Sequence, residues 1–283
     1  LGTTEQDLAL AGELLRQGQL VAFPTETVYG LGADALNETA VAQIYAAKGR
    51  PSDNPLIVHV AEKADIAPLV QEIPEKAKKL FDRFFPGPLT VILPKSDKIG
   101  KVVSGGLDTV AVRMPENPVA HRLLQLAGVP VAAPSANTSG LPSPTRAKYV
   151  QEDMNGKIAA IVDGGDCAYG VESTLLRPGA VTKEMLEAEI GPIAVAPAVL
   201  EKMADGETAA SPGMKYKHYA PKAQVILVNG DSAAYAAFVN SQPGCYALCY
   251  EEDRVTVPKV PYGKATDDLS QARELFDALR RLD

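Results

Sequence analysis

The chain has 283 residues, of which 46% are hydrophobic and 22% charged, a composition typical of a globular protein with one large or two ordinary domains. Its formal net charge of −7 excludes a whole-protein cationic field for holding nucleic acid, so an anion site must be a local cluster. No apolar run approaches the roughly 18 residues of a membrane span, and no signal pattern begins the chain, so we expect a cytoplasmic protein.

Predicted helices and strands alternate along the first part of the chain. Apolar residues at helical spacing predict helices over 8–18, 40–48, 74–85 and 118–127. Short apolar runs predict strands over 20–23, 56–60, 89–93, 110–113 and 131–133. This alternation favours a layered α/β fold, and the short, proline-bounded strands allow antiparallel pairs, so we expect a mixed sheet.

A second unit follows a change in composition near Gly191. Residues 192–222 mix proline, alanine, glycine and charge without a period, and are predicted to be a linker after a domain at 1–191. Residues 223–283 are predicted to form a small α/β C-terminal domain, with strands at 224–228 and 245–250 and helices at 232–239 and 269–282. Because this unit is small and ends on a helix, we expect it to be incomplete.

The three cysteines are few and odd in number, which is typical of a reducing compartment. Cys245 and Cys249 have no second pair of metal ligands nearby in the sequence. We therefore expect Cys167, Cys245 and Cys249 to be structural free thiols rather than metal ligands.

Two polar segments in the first sixty residues suit a ligand. Residues 24–32, Pro-Thr-Glu-Thr-Val-Tyr-Gly-Leu-Gly, follow the first strand, where α/β sheets place ligands, although a turn with capping threonines is the alternative. Lys48 and Arg50 supply a point charge and a rigid fork suited to phosphate or carboxylate oxygens. Two following prolines stiffen their loop, but a plain surface turn is also consistent with these residues.

Hydroxyl groups and a third cation follow later strands. Residues 134–140, Pro-Ser-Ala-Asn-Thr-Ser-Gly, come after a predicted strand, and Ser143 lies in the next turn. Among the three histidines, His121 has the pattern of a structural residue on a helix, and no serine elbow is present, so these hydroxyls are interpreted as ligand contacts and not nucleophiles. Arg113 is the last residue of a predicted strand. Its guanidinium is either a fork that binds a carboxylate or a solvated group at the strand end.

Eight motifs together carry a resemblance to a known family. They stand at 24–32, 48–56 (Lys-Gly-Arg-Pro-Ser-Asp-Asn-Pro-Leu), 85–90 (Phe-Pro-Gly-Pro-Leu-Thr), 112–115 (Val-Arg-Met-Pro), 133–137 (Ala-Pro-Ser-Ala-Asn), 172–174 (Glu-Ser-Thr), 177–179 (Arg-Pro-Gly) and 211–221 (Ser-Pro-Gly-Met-Lys-Tyr-Lys-His-Tyr-Ala-Pro). The chain resembles the YrdC-like family of threonylcarbamoyl-AMP synthases in its two-domain form. The resemblance implies a YrdC-like twisted mixed sheet flanked by helices, plus a smaller Rossmann-like α/β C-terminal domain.

The resemblance also implies an activity, that of a nucleotidyltransferase. The family joins L-threonine, bicarbonate or CO2, and ATP into L-threonylcarbamoyladenylate and pyrophosphate, the first step of tRNA N6-threonylcarbamoyladenosine formation. A tRNA threonylcarbamoyl-transferase complex then receives the product. Mg²⁺ is implied as the companion of ATP, without a dedicated metal site in the protein, because oxygen ligands from ATP and water suffice.

Site residues are implied by position in the motifs. Threonine would contact Thr27, His59, Arg113 and Ser173, with Arg113 as the fork for its carboxylate. Lys48 and Arg50 are the catalytic candidates and would lie against phosphates. The other ATP contacts implied are Asn54, Thr109, Ser135, Asn137, Ser143, Arg177 and Tyr219, of which Tyr219 is predicted to close over the pocket and exclude water.

Two other functions remain as alternatives. An RNA-binding module of the same fold without catalysis would hold double-stranded RNA by its phosphates and sugars, although the net charge of −7 does not support direct tRNA binding. A carbamoyltransferase, as in hydrogenase-maturation proteins with a YrdC-like domain, would need further metal-binding modules that this sequence does not show.

Overall fold

The computed structural model describes residues 1–169, 173–174 (backbone), 181–194 and 223–283. Nine α-helices lie within these residues: α1 Glu5–Arg16, α2 Glu38–Lys48, α3 Glu75–Phe84, α4 Lys101–Ser104, α5 Pro118–Ala127, α6 Ala147–Met154, α7 Lys183–Ile190, α8 Ser232–Asn240 and α9 Asp268–Leu282. A 3-10 helix spans Lys63–Leu69. The described strands are β1 Val21–Pro24, β2 Tyr29–Asp34, β3 Ile57–His59, β4 Leu89–Pro94, β5 Thr109–Arg113, β6 Val131–Ala132, β7 Ala160–Ile161, β8 Ser173–Thr174, β9 Ala247–Cys249 and β10 Lys259–Pro261.

Eight of these strands form one mixed sheet, in the order β7-β1-β2-β6-β3-β5-β4-β8. Parallel pairing joins β7 to β1, β3 to β5 and β4 to β8. The other four neighbouring pairs are antiparallel. The predicted α/β fold with a mixed sheet is therefore confirmed.

Helices cover both faces of the sheet. On one face, α2, α3 and α4 pack on the larger core, to which the sheet contributes Leu31, Val58 and Val112. On the opposite face, α1 and α5 pack on a smaller core around Phe23 and Val131. The larger core follows from strand alternation, because every second residue of β3 and β5 is apolar and points to the same side.

Residues 24–32 are predicted to be a polar segment suited to a ligand, or a turn with capping threonines, and the glycine-rich part of this segment is a strand. β2 begins at Tyr29, and its Gly30 and Gly32 lie directly opposite Phe23 and Val21 on β1. A Cβ atom at Gly32 would lie 2.8 Å from Val131 Cγ1 and 2.9 Å from a Phe23 ring carbon. The two glycines therefore allow the Phe23 ring to pack across the strand, and only 25–28 form a turn.

The C-terminal part differs from its prediction in one element. Both predicted helices are present, as α8 and α9, and the strand predicted at 245–250 is present as β9, which pairs in parallel with β10. Residues 224–228 form no strand, and the exposed fractions of Val225, Ile226 and Leu227 are 69%, 58% and 85%. An apolar run is stable as a strand only with a partner strand to share its hydrogen bonds. No described strand pairs with this run.

Several shorter elements were not predicted, among them α4, α6, α7 and β10. β10 ends on Pro261, and a proline within a short run argues against a strand in sequence-based reasoning. The predicted linker lies almost wholly outside the described residues, and the division at 191 and 222 stays a prediction. No helix in the described parts of the chain is long and apolar enough to cross a membrane.

The close packing at Gly32 leads to a stability prediction. We expect Gly32→Ala to lower the free energy of unfolding by about 2 kcal/mol, because the added methyl group overpacks the space that Val131 and Phe23 fill. Gly30→Ala on the same strand is the matched control, since its nearest neighbour, Ala133 Cβ, would lie at 3.3 Å and less has to move. Urea unfolding followed by circular dichroism measures the free energy of unfolding of both variants. Equal losses of stability in the two variants would contradict the close packing proposed at Gly32.

Candidate active site

The turn between β1 and β2 is organised by the Thr25 side chain. Its Oγ1 accepts hydrogen bonds from the backbone N–H groups of Thr27 and Val28, both at 3.2 Å, and donates to the Val28 carbonyl at 2.7 Å. The Thr27 hydroxyl lies 3.0 Å from the same oxygen. This network is buried, so the Thr27 hydroxyl is held in one place.

Three polar side chains form a row across β4, β5 and β3 on the same face of the sheet. The parallel register pairs His59 with Arg113, and the antiparallel register, which pairs Val91 with Val112, brings Thr90 next to Arg113. Side chains of directly opposite residues project to the same side of a sheet. All three residues are buried, and this row continues the face on which α1 and α5 pack.

Arg113 forms a buried ion pair with Glu26. Its Nη2 donates to Glu26 Oε1 at 2.7 Å and to Thr27 Oγ1 at 3.1 Å, and only 1% of the Arg113 surface is exposed. The second Glu26 oxygen, Oε2, accepts the backbone N–H groups of Glu116 at 3.2 Å and Asn117 at 3.4 Å. The alternative of a solvated strand end for Arg113 is therefore wrong, and its fork already engages one carboxylate of the chain itself.

The pKa of Glu26 is lowered although the residue is buried. Burial alone favours the neutral acid and is the largest single effect on this pKa. The charge of Arg113, its hydrogen bond and the backbone N–H donors together outweigh that effect, so the pKa of Glu26 lies below its usual value. Glu26 is therefore ionised at neutral pH and neutralises Arg113.

Two buried polar atoms of this row have no hydrogen-bond partner within the described residues: Arg113 Nε and Thr90 Oγ1. Buried polar atoms are nearly always satisfied in folded proteins, so an unsatisfied pair on neighbouring strands is a candidate ligand contact. Asn54 Oδ1 is a third such atom, at the opposite end of β3 from His59. The His59 ring packs edge-on against Phe23, with 6.0 Å between the ring centroids.

Lys48 is buried at the end of α2 and holds the loop at 135–139. Its Nζ donates to the carbonyl oxygen of Asn137 at 2.7 Å and to that of Ser135, and lies 3.4 Å from Asn137 Oδ1. The Lys48 carbonyl in turn accepts the N–H of Ser139 at 3.0 Å. The structure thus brings together Lys48, Ser135 and Asn137, and the ammonium lies against carbonyl oxygens of the loop.

Arg50 lies just beyond α2 and stacks on Tyr45. The helix ends at Gly49, whose φ of 66° is in the left-handed region, and the Arg50 guanidinium carbon lies 5.2 Å from the centroid of the Tyr45 ring. The Tyr45 hydroxyl lies within hydrogen-bond distance of the carbonyl oxygens of Asn54 at 2.9 Å and Val102 at 3.0 Å. Tyr45 therefore connects the arginine to the polar turn that precedes β3.

The remaining predicted contacts are more dispersed. Thr109 lies at the start of β5, about 13 Å along the strand from Arg113, at the end of the sheet where the Asn54 turn lies. Ser143 is buried in the turn before α6. The backbone of Ser173 lies opposite Leu89, whereas Arg177 and Tyr219 lie outside the described residues.

Two residues of this site were missed in the sequence-based interpretation. Glu26 and Thr90 lie within quoted motifs, but neither received a role. A signal for Glu26 exists in principle, because an arginine on a buried strand requires a carboxylate partner. Thr90 is identified only by the strand register, which the sequence does not reveal. In the described ranges, no three His, Cys, Asp or Glu side chains are grouped so that they could hold a metal ion.

Similarity to known proteins covers the whole chain. Residues 13–187 match the sequence pattern of the Sua5–YciO–YrdC family, described as telomere recombination. The chain belongs to the Sua5–YciO–YrdC family. Residues 181–283 match the C-terminal domain of threonylcarbamoyl-AMP synthase, which is the two-domain form that the motifs indicated.

Two relatives from different organisms are informative. The threonylcarbamoyl-AMP synthase of Pyrococcus abyssi is 55% identical over 80% of this chain and 69% of its own length. The threonylcarbamoyl-AMP synthase of Bacillus subtilis is 47% identical over 100% of this chain and 86% of its own length.

Solved structures agree with the fold. The crystal structure of Pyrococcus abyssi Sua5 complexed with L-threonine superposes with a TM-score of 0.89, at 46% identity, over 99% of this chain and 86% of that one. Escherichia coli YciO, at 21% identity, a TM-score of 0.52 and coverage of 58% of this chain and 80% of that chain, shares the fold of the first part.

The buried pair predicts a pH-dependent loss of stability. We expect Glu26→Gln to lower the free energy of unfolding at pH 7 by about 3 kcal/mol, because Arg113 then keeps a buried charge without its counter-ion. Since folding lowers the pKa of Glu26, its ionised form stabilises the protein above the unfolded-state pKa, and this contribution disappears as the pH falls through the folded-state pKa. The difference between the two proteins should therefore shrink below about pH 4.

The control for this prediction is Glu13→Gln. Glu13 pairs with Arg16 on the surface of α1, where both side chains are more than two-fifths exposed, so we expect a much smaller loss of stability than in Glu26→Gln. Chemical unfolding at a series of pH values gives the free energy of unfolding of the parent protein, Glu26→Gln and Glu13→Gln. A pH-independent deficit in Glu26→Gln would show that the ion pair is not its cause.

Proposed function

We propose that this protein catalyses the synthesis of L-threonylcarbamoyladenylate from L-threonine, bicarbonate or CO2, and ATP, with release of pyrophosphate. The observation that carries the proposal is the row of buried donors, Thr90 and Arg113, on a sheet face that also presents His59. Relatives at 47–55% identity are named threonylcarbamoyl-AMP synthases, and a structural neighbour is described as complexed with L-threonine.

The amino-acid half of the site would be built on Arg113. Its Nε and the Thr90 hydroxyl are two buried groups that lack a partner among the described residues, and both donate to oxygen. A carboxylate of threonine would accept both hydrogen bonds, while Glu26 keeps Nη2 of the guanidinium engaged. Thr27, His59 and Ser173 complete the proposed contacts with threonine.

The nucleotide half would lie around Lys48, Arg50 and Asn54. Arg50 supplies a guanidinium fork for phosphate oxygens, and Lys48 supplies a positive charge fixed by the loop carbonyls. Asn54 Oδ1 is an acceptor, so it suits a hydroxyl or amino group of the nucleoside. The remaining proposed contacts with ATP are Thr109, Ser135, Asn137, Ser143, Arg177 and Tyr219.

The chemistry needs positioning and charge rather than a protein nucleophile. The amine of threonine adds to CO2 with loss of a proton, and an oxygen of the resulting carbamate attacks the α-phosphorus as the bond to the β-phosphate oxygen breaks. Fixed cations stabilise the negative charge on the phosphates as pyrophosphate leaves. Cys167 lies near this site but is no nucleophile, because burial raises the pKa of its thiol to about 12.

Mg²⁺ would enter as the complex with ATP. Triphosphate and water oxygens provide the hard ligands that this ion prefers. The product would pass to a tRNA threonylcarbamoyl-transferase complex in the cytoplasm. The acidic net charge of −7 does not favour direct binding of tRNA by this chain.

Pyrophosphate release tests the proposal directly. With purified protein, Mg²⁺ and ATP, we expect pyrophosphate and an adenylate product to form only when both L-threonine and bicarbonate are present, because the carbamate is the nucleophile. Release that persists without threonine would overturn the proposal. RNA binding that weakens steeply with salt and does not depend on threonine would instead favour the RNA-binding alternative.

The role of Thr90 is tested by a pair of substitutions. Thr90→Val keeps the shape of the side chain but removes the hydroxyl, so we expect the KM for threonine to rise about tenfold through loss of a hydrogen bond to a charged group. The KM for ATP should stay within about twofold, because Thr90 lies in the amino-acid half. Thr90→Ser retains the hydroxyl and is the control. Equal changes in the two KM values in Thr90→Val would contradict the assignment.

A further inference from the structure

The C-terminal helix α9 lies against the N-terminal unit beside the loop that Lys48 holds. Arg280, near the end of α9, makes four of the hydrogen bonds to this unit. Its Nη2 and Nη1 donate to Asp153 Oδ2 at 2.8 Å and Oδ1 at 3.2 Å, so the guanidinium engages both carboxylate oxygens. The exposed fractions of the two side chains are only 6% and 5%. A bidentate, buried pair of this kind fixes both position and orientation.

Arg280 also contacts the turn that carries Ser143, just after the loop at 135–139. Its Nε and Nη2 donate to the carbonyl oxygen of Pro142 at 3.0 and 2.6 Å. Pro142 immediately precedes Ser143, one of the proposed contacts with ATP. The same guanidinium therefore joins the helix α6, through Asp153, to the turn that carries Ser143.

Asp153 also contacts the loop at 135–139 that Lys48 holds. Its Oδ2 accepts the backbone N–H of Thr138 at 3.0 Å. The neighbouring Asn137 donates through Nδ2 to the Leu141 carbonyl at 2.8 Å, and its own carbonyl accepts Lys48 Nζ at 2.7 Å. Hydrogen bonds, joined by the backbone between Thr138 and Asn137, thus lead from Arg280 to Lys48.

A second group of contacts holds α9 against α6. Asp277, one turn before Arg280, accepts the Tyr149 hydroxyl at 2.5 Å and Arg146 Nη1 at 2.7 Å. The Arg280 guanidinium carbon lies 4.9 Å from the centroid of the Tyr149 ring. The helix is therefore held on α6 independently of the contacts that Arg280 makes with the loop.

We propose that Arg280 is a positioning residue that holds the nucleotide half of the site, so that the C-terminal helix forms part of the ATP-binding architecture. The inference rests on the proposed function for the identity of the nucleotide. Arg280 acts through the 137–143 loop, whereas the amino-acid half depends on the sheet register and on Glu26. Loss of Arg280 therefore weakens nucleotide binding and leaves threonine binding nearly unchanged.

Arg280→Ala tests this inference through a difference between two substrates. We expect the KM for ATP and the Kd for α,β-methylene-ATP, measured by calorimetry without threonine, to rise about tenfold, because two charge-assisted contacts to the loop are lost. The KM for threonine is expected to stay within about twofold. A residue with a merely structural role would lower the active fraction without separating the two KM values.

Matched variants separate positioning from folding. Arg273→Ala removes an arginine from the same helix whose partner, Glu274, lies on that helix at 3.1 Å, so both substrate affinities should stay as in the parent protein. Asp153→Asn removes the charge of the other member of the same pair. It should likewise raise the KM for ATP more than the KM for threonine. In the double variant Asp153→Asn/Arg280→Ala, the two effects should not add, because both remove one network.

The possible results are distinct. If Arg280→Ala fails to fold, Asp153→Asn and the milder Arg280→Lys carry the test, and the inference requires that both weaken the ATP analogue more than threonine. Unchanged affinity for the analogue, or equal losses for analogue and threonine, would overturn the inference. If the parent protein itself binds no ATP analogue, the proposed function fails, and that result does not depend on any variant.

Discussion

The buried ion pair between Arg113 and Glu26 is the interaction on which the candidate site depends. A guanidinium that is 1% exposed is stable only with a counter-charge, and Glu26 supplies this charge from the β1–β2 turn, although two strands, β6 and β3, lie between β2 and β5 in the sheet. The pair therefore fixes the β1–β2 turn against β5. Arg113 Nε keeps no partner among the described residues, and Thr90 lies opposite Arg113 on the neighbouring strand, which is where we propose that the threonine carboxylate binds.

The same physical principle recurs at two other buried cations, one in the site and one that supports it. Lys48 is buried against loop carbonyls, and Arg280 is buried against Asp153 and the Pro142 carbonyl. In each case oxygen atoms of the chain itself accept hydrogen bonds from the cation, so the charge stays in place before any substrate arrives. Fixed charge of this kind is what an adenylation needs, because the protein does not reorganise as charge develops on the phosphates.

The sequence predicted much of this architecture, and the limits have physical causes. Amphipathic periods located α1, α2, α3 and α5, because the helices bury one face against the sheet. The period is uninformative at Gly30 and Gly32, where glycines make room for Phe23, so β2 was not predicted as a strand. At 225–227 the apolar run predicted a buried strand, but a strand depends on a partner that local sequence does not specify.

The candidate site was predictable to a similar degree. Motifs identified Lys48, Arg113 and the 134–140 loop as polar groups at the ends of elements. They did not show that Lys48 faces carbonyl oxygens, that Arg113 pairs with Glu26, or that Thr90 stands beside it, because those contacts follow from strand order and register.

A crystal structure of this protein with L-threonine and α,β-methylene-ATP is the most direct test of the central claim. We expect the threonine carboxylate to lie about 3 Å from both Arg113 Nε and Thr90 Oγ1, with the pair between Arg113 and Glu26 intact. A carboxylate bound away from both groups, or one that displaces Glu26 from Arg113, would contradict it.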